Sequence, residues 1–231
     1  NNLRELMRAN LLYHDDYGRL VAAAADLTGA NLIRWHGQRQ TWSNAADFDY
    51  TKSALVTYLG QGGMVRRCPT MTRLIDPDQP GYEKGGGGYG YNVAIGTRMY
   101  FEDDPLCLAA NESGTSLKEI RRADTNVMFA DSACVVDAAG NHQPSTASGR
   151  LAENSFLQPP YYVFNRQSMP AWGLAWPTTH FRHAQVANVA WTDGHLSTEK
   201  PMFSNLSDWG DRDLGWFGPE NNSWFDPHGK E

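Results

Sequence analysis

The sequence predicts an α+β domain with an N-terminal helix, a small antiparallel sheet and long loop insertions. Three observations carry the prediction. Leu3, Leu6, Met7, Asn10, Tyr13 and Tyr17 recur at three- and four-residue steps, the spacing of one helix face. Asn188-Val189-Ala190-Trp191-Thr192 and His195-Leu196-Ser197 flank Asp193-Gly194, which reads as a hairpin with a two-residue turn. The 231 residues include 22 Gly, 12 Pro and 8 Trp, a composition of many turns with large aromatic contacts between short strands.

Taken in order, the first helix covers residues 1–17 and ends at Gly18, a residue that leaves the helical conformation readily. Residues 51–59 form a short helix or strand around Leu55, Val56, Tyr58 and Leu59. The glycine run from Gly85 to Gly88 lacks the Lys-Ser/Thr ending of a phosphate-binding loop and is expected to be a flexible loop. Ser116 and Glu119 have the spacing of a capping box. Asn126 to Ala130 reads as a buried strand ending at Asp131-Ser132. Residues 137–180 read as a surface insertion, with one strand candidate at Tyr161-Tyr162-Val163-Phe164. Residues 204–231 form an aromatic C-terminal extension, and the whole of 1–231 is expected to be one domain.

Composition excludes some functions. The net charge is −6, and the basic pairs Arg66-Arg67 and Arg121-Arg122 do not make a patch, so nucleic acid is not an expected partner. No stretch approaches the roughly 20 apolar residues needed to span a bilayer. The opening Asn1-Asn2-Leu3-Arg4 reads as the interior of a longer chain whose native N-terminus is missing. Cys68, Cys107 and Cys134 contain no zinc-type pair. Cys68 and Cys107 are either bridged or free and buried.

Several blocks, in order, resemble one family. Arg182-His183, then nine residues, then Asp193-Gly194-His195 matches the His-x9-Asp-Gly signature. The opening Leu3-Arg4-Glu5-Leu6 through Asp15-Asp16-Tyr17-Gly18, Cys68-Pro69, Tyr89-Gly90-Tyr91-Asn92 and Phe129-Ala130-Asp131-Ser132 match further blocks. The chain thus resembles the prepilin-type processing-associated proteins, pseudopilin-like proteins similar to general secretion pathway protein G of type II secretion. Trp191-Thr192 departs from the commoner pattern, and 137–180 matches no block.

The resemblance implies a pilin-like fold, with a long N-terminal helix (residues 1–20 being its remnant) packed on the sheet. It implies a missing hydrophobic half that anchors the protein in the inner membrane, facing the periplasm or cell surface. It implies other pseudopilin subunits and the secretion machinery as partners, with Leu3, Leu6 and Met7 on the stripe that packs subunits together. The expected role is structural and non-catalytic. The alternative is a cell-surface protein of the same fold that displays a glycan- or protein-recognition surface through exposed tryptophans.

Among residues with chemical potential, His183, Asp193, Gly194 and His195 are read as structural motif residues. Asp193-Gly194 makes the turn and His183 braces it through turn carbonyls. Asp131 and Asp193 are the metal candidates, with calcium the cation that the resemblance to major pseudopilins implies; no other cofactor is expected. No nucleophile, base and orienting group stand out as a catalytic set: Ser132 lacks the nucleophile elbow and the cysteines sit among apolar neighbours.

Overall fold

The computed structural model describes residues 2–60, 62, 65–76, 78–102, 112–143, 149–205 and 212–229. Helix α1 (Asn2–Tyr17) is followed by β1 (Ile33–Arg34), β2 (Gly37–Gln38), the short α2 (Pro69–Leu74), β3 (Tyr89–Asn92), β4 (Val127–Asp131) and β5 (Cys134–Val136). Then come β6 (Arg150–Ala152), β7 (Phe156–Leu157), β8 (Val163–Phe164), β9 (Gln167–Ser168), β10 (Thr179–His180), β11 (Ala187–Trp191), β12 (Leu196–Glu199) and β13 (Leu214–Gly215).

This corrects the expected α+β, pilin-like fold. Among the described residues the chain is mostly β, with thirteen strands in five sheets and α1 its one long helix. The main sheet has the order β12-β11-β4-β3-β7, and β3 pairs with β7 in parallel, so it is not an antiparallel sheet. Segments assigned to an insertion supply much of the difference. Strands β6 to β10 lie within 137–180, where strands of two or three residues are too short to leave an alternating pattern.

Every residue of β4 is buried, which explains its unbroken apolar run. Met128 and Phe129 join the core shared with α1, Trp35 and Tyr91. Val127 and Ala130 join a second core with Phe181, Trp191, Trp216, Phe217 and Phe225. Helix α1 lies against β4 and β11. Its apolar stripe is used inside the molecule: Leu3, Leu6 and Met7 are 5%, 1% and 3% exposed, while Arg4, Glu5 and Arg8 face solvent. This corrects the expectation that those three residues pack against neighbouring subunits. The helix stops at Gly18, whose φ of +73° suits a residue without Cβ and whose N–H bonds the His14 carbonyl at 2.7 Å.

The hairpin β11–β12 is present, with a different turn. Ala190 pairs with Leu196, Trp191 N–H donates to His195 O, and Gly194 N–H donates to Trp191 O. Only Gly194 has positive φ (+99°), so Thr192-Asp193-Gly194 is a three-residue loop in place of a two-residue turn with both central residues left-handed.

Candidate functional site

Three separated segments bring polar side chains to one buried point at the end of β4. Asp131 is the last residue of β4, flanked by Tyr89 of β3 and by Asn188 beside Val189 of β11. Cys68 stands immediately before α2 with Pro69 as the first helical residue, and its N–H donates to Gly87 O at 2.9 Å. Arg182 and His183 follow β10. His183 opens a tight turn to Val186 in which Ala184 and Gln185 both have left-handed φ, 56° and 62°. Such backbone is uncommon for residues with a Cβ and persists where surrounding structure holds it.

Arg182 is the hub. Its Nη2 donates to Asp131 Oδ1 at 2.5 Å and to Gly88 O at 2.6 Å, and its Nε to Cys68 Sγ at 3.4 Å. The other carboxylate oxygen, Oδ2, accepts from the Asn188 N–H at 2.7 Å and its Nδ2 at 2.8 Å. His183 Nε2 lies 3.4 Å from Asp131 Oδ2 and 3.6 Å from Cys68 Sγ. A cleft of about 380 Å³ opens onto Cys68, Tyr89, His183 and Asn188, with Leu3 of α1 on its rim.

The charges follow from these contacts. Burial alone pushes the Asp131 carboxyl up; the His183 hydrogen bond, the Arg182 charge and the Asn188 N–H hold it below the usual range. Burial likewise opposes the Cys68 thiolate, but Arg182 and the Met71 N–H bring the thiol below its ordinary value. The hydrogen bond to Asp131 raises the His183 imidazole against the effect of burial. His180, buried beside Arg182, is pushed down to about 3, mainly by burial and then by the guanidinium charge.

The arrangement is not a nucleophile relay. In a thiol–imidazole–carboxylate relay the thiol and the carboxylate use opposite ring nitrogens, so that one nitrogen accepts while the other donates. Here both groups face the same nitrogen, Nε2. What the cluster offers is three convergent donor atoms, one each from Cys68, Asp131 and His183, within 4.8 Å of one another.

The other motif residues lie elsewhere. Asp193, Gly194 and His195 occupy the hairpin loop at the far end of β11, where Asp193 Oδ1 meets His195 Nδ1 at 2.6 Å and His195 stacks on Trp191. Asp131 and Asp193 are therefore not brought together: Asp193 lies five positions beyond Asn188, roughly 16 Å of extended chain. His183 does not brace the hairpin loop either; its ring faces Cys68 and Asp131.

Sequence reading missed Cys68, Arg182 and Asn188 as site members. One signal was available: an aspartate ending an entirely apolar strand needs a cationic partner, and Arg182 stands in the same motif block as His183. The glycine run 85–88 is also corrected from a flexible loop to a packed one. Gly86, Gly87 and Gly88 are buried, and a Cβ on Gly88 would meet Met71 Cγ at 2.8 Å. The N–H groups of Gly85 and Gly87 point at an anion, but it is the chain's own Glu153, whose Oε2 they reach at 2.7 and 3.2 Å. Arg67 holds Glu153 Oε1 at 2.6 Å. Cys68 and Cys134 are free, buried thiols; Cys107 and Trp209 lie outside the described residues. Among the described residues no helix is long and apolar enough to cross a membrane. Set against protein-family models, curated proteins and solved structures, the chain matches none.

Proposed function

We propose that this protein is a non-catalytic, pseudopilin-like component of a type II secretion or type IV pilus-like assembly. It works as a folded β-rich body held on the extracytoplasmic side by an N-terminal anchor. The observation that carries the reading is convergence. Cys68-Pro69, Tyr89, Asp131, Arg182-His183 and Asn188 come from four blocks of the resemblance, far apart in the chain, and meet at one buried point. Residues whose spacing matches one signature and whose side chains touch make a single unit. That unit has the chemistry of a brace: a fully shielded ion pair, a carboxylate held by three hydrogen bonds, and an imidazole that cannot relay protons between Cys68 and Asp131.

Assembly in this reading runs through the anchor and through surfaces other than Leu3, Leu6 and Met7, which face inward. The test is crosslinking of the complete gene product in the membranes of its own host. Subunit-to-subunit crosslinks together with membrane retention are expected; protein that stays monomeric and soluble in that experiment ends the proposal.

A second reading, display of a recognition surface, has one specific observation in its favour. Tyr162, Phe164 and Trp172 are all exposed around the β8–β9 hairpin, and the Phe164 and Trp172 rings lie 5.4 Å apart. Exposed aromatics are enriched where proteins bind partners. Glycan-array or partner binding that falls at least tenfold in Trp172→Ala favours this reading, and unchanged binding removes it.

A further inference from the structure

We propose that Cys68, His183 and Asp131 form a site for a divalent transition-metal ion of the zinc class, with a fourth position open to the cleft. The geometry carries the proposal. A tetrahedral ion bound at about 2.3 Å from sulfur and about 2.0–2.2 Å from nitrogen and oxygen has ligand–ligand edges of about 3.6 Å (S to N) and about 3.4 Å (N to O). The corresponding separations here are 3.6 Å from Cys68 Sγ to His183 Nε2 and 3.4 Å from Nε2 to Asp131 Oδ2. Both end on the same nitrogen. Neutral imidazole cannot accept from a thiol and donate to a carboxylate through one atom, whereas an ion between the three satisfies all of them.

The donor set selects the class of ion. Thiolate and imidazole suit zinc, cobalt or copper, while calcium and magnesium require oxygen throughout. The surrounding shell suits a site as well. Asn188 and Arg182 fix the carboxylate, the role that hydrogen-bonded neighbours play for metal-bound carboxylates. Arg182 holds Oδ1 and Asn188 holds Oδ2 twice, so a cation on Oδ2 takes the place of one of the two Asn188 hydrogen bonds. The left-handed Ala184-Gln185 turn fixes where His183 stands. Arg182 is a competing positive charge beside the thiol, but thiolate and carboxylate together outnumber it. Access comes from the cleft, since the His183 side chain is 29% exposed while Asp131 is shielded.

The test uses cobalt(II) as the probe on the folded protein. One equivalent is expected to give thiolate-to-cobalt charge-transfer absorption, which zinc then abolishes by displacement. Cys68→Ser is expected to remove the absorption and His183→Gln to weaken binding at least tenfold, with Cys107→Ser and Cys134→Ala unchanged. A second measurement needs no variant: one equivalent of zinc is expected to slow alkylation of Cys68 at least tenfold, read by peptide mass mapping. Absence of the cobalt–thiolate band in wild-type protein, its persistence in Cys68→Ser, or equal alkylation of Cys68 with and without zinc overturns the proposal.

Discussion

Arg182 and Asp131 face each other with both side chains fully shielded from solvent, Nη2 standing 2.5 Å from Oδ1. A buried pair of this kind is held as much by the cost of breaking it as by its attraction, because either charge left alone is stranded in a medium that cannot solvate it. Arg182→Met alone and Asp131→Asn alone are each expected to lower unfolding free energy by about 3–5 kcal/mol. The double change Arg182→Met with Asp131→Leu is expected to cost clearly less than the sum of Arg182→Met and Asp131→Leu measured singly. Urea denaturation of the variants checks this; strict additivity refutes the coupling.

Acid should weaken the fold well above the carboxylate range. His36 is enclosed by Trp35 and Phe48, and burial pushes its imidazole down to about 3; His180 is lowered to about 3 in the same way. Below pH 6.5 the unfolded chain takes up protons at these rings that the folded chain refuses. Stability therefore falls as pH drops from about 6.5 towards 3, with a slope of up to about 1.4 kcal/mol per pH unit for each ring. Thermal melts between pH 7 and 4 should show this slope, and His36→Phe should flatten it. A melting temperature level down to pH 5 contradicts the assignment.

Two glycines should respond to alanine to very different degrees. Gly194 has φ +99° but nothing within 4 Å of a built Cβ, so Gly194→Ala is expected to cost only about 1 kcal/mol of backbone strain. A Cβ on Gly114 would lie 2.4 Å from the Leu20 carbonyl oxygen, a backbone atom that cannot rotate away. Gly114→Ala is expected to prevent accumulation of folded protein or to lower its melting temperature by more than 10 °C, in keeping with a loss of several kcal/mol. Comparable melting curves for the two variants would contradict the packing described around Gly114.

The two described thiols should differ in reactivity. Cys134 is buried and pushed up to about 12 by that burial, whereas Arg182 holds Cys68 below its ordinary value at the edge of a cleft. Native alkylation at neutral pH and without added metal is expected to modify Cys68 at least tenfold faster than Cys134. Peptide mapping in a Cys107→Ser background reads the order directly.

What was legible in advance was local. The helix over the opening residues, the buried run at 127–131 and the hairpin around Asp193-Gly194 each announce themselves within a few residues, through period, apolarity or turn chemistry. The capping contact between the Ser116 N–H and Glu119 Oε2, 2.8 Å, is of the same kind. What was not legible depends on distant partners. Nothing near Phe156-Leu157 announces a parallel neighbour at Tyr91-Asn92, and nothing in Ala184-Gln185 favours left-handed backbone. The candidate site followed the same rule. Asp131 and His183 were singled out by residue type, but the thiol that meets them is 115 positions from His183, and a cysteine next to proline looks inert until α2 and the glycine loop aim it. The apolar stripe of α1 was visible; which surface would cover it was not, because a periodic stripe looks the same whether its partner is another subunit or its own Trp35 and Phe129.

The strand order of the main sheet has a consequence for synthesis. β4 lies between β3, which precedes it, and β11, which the ribosome delivers about 60 residues later. During that interval a strand with four apolar residues in a row waits with one open edge, and the carboxylate at its end waits without its guanidinium. The open edge of β4 closes only once residues 187–191 have been made, so misassociation of the nascent polypeptide is most favoured while 132–186 are being added.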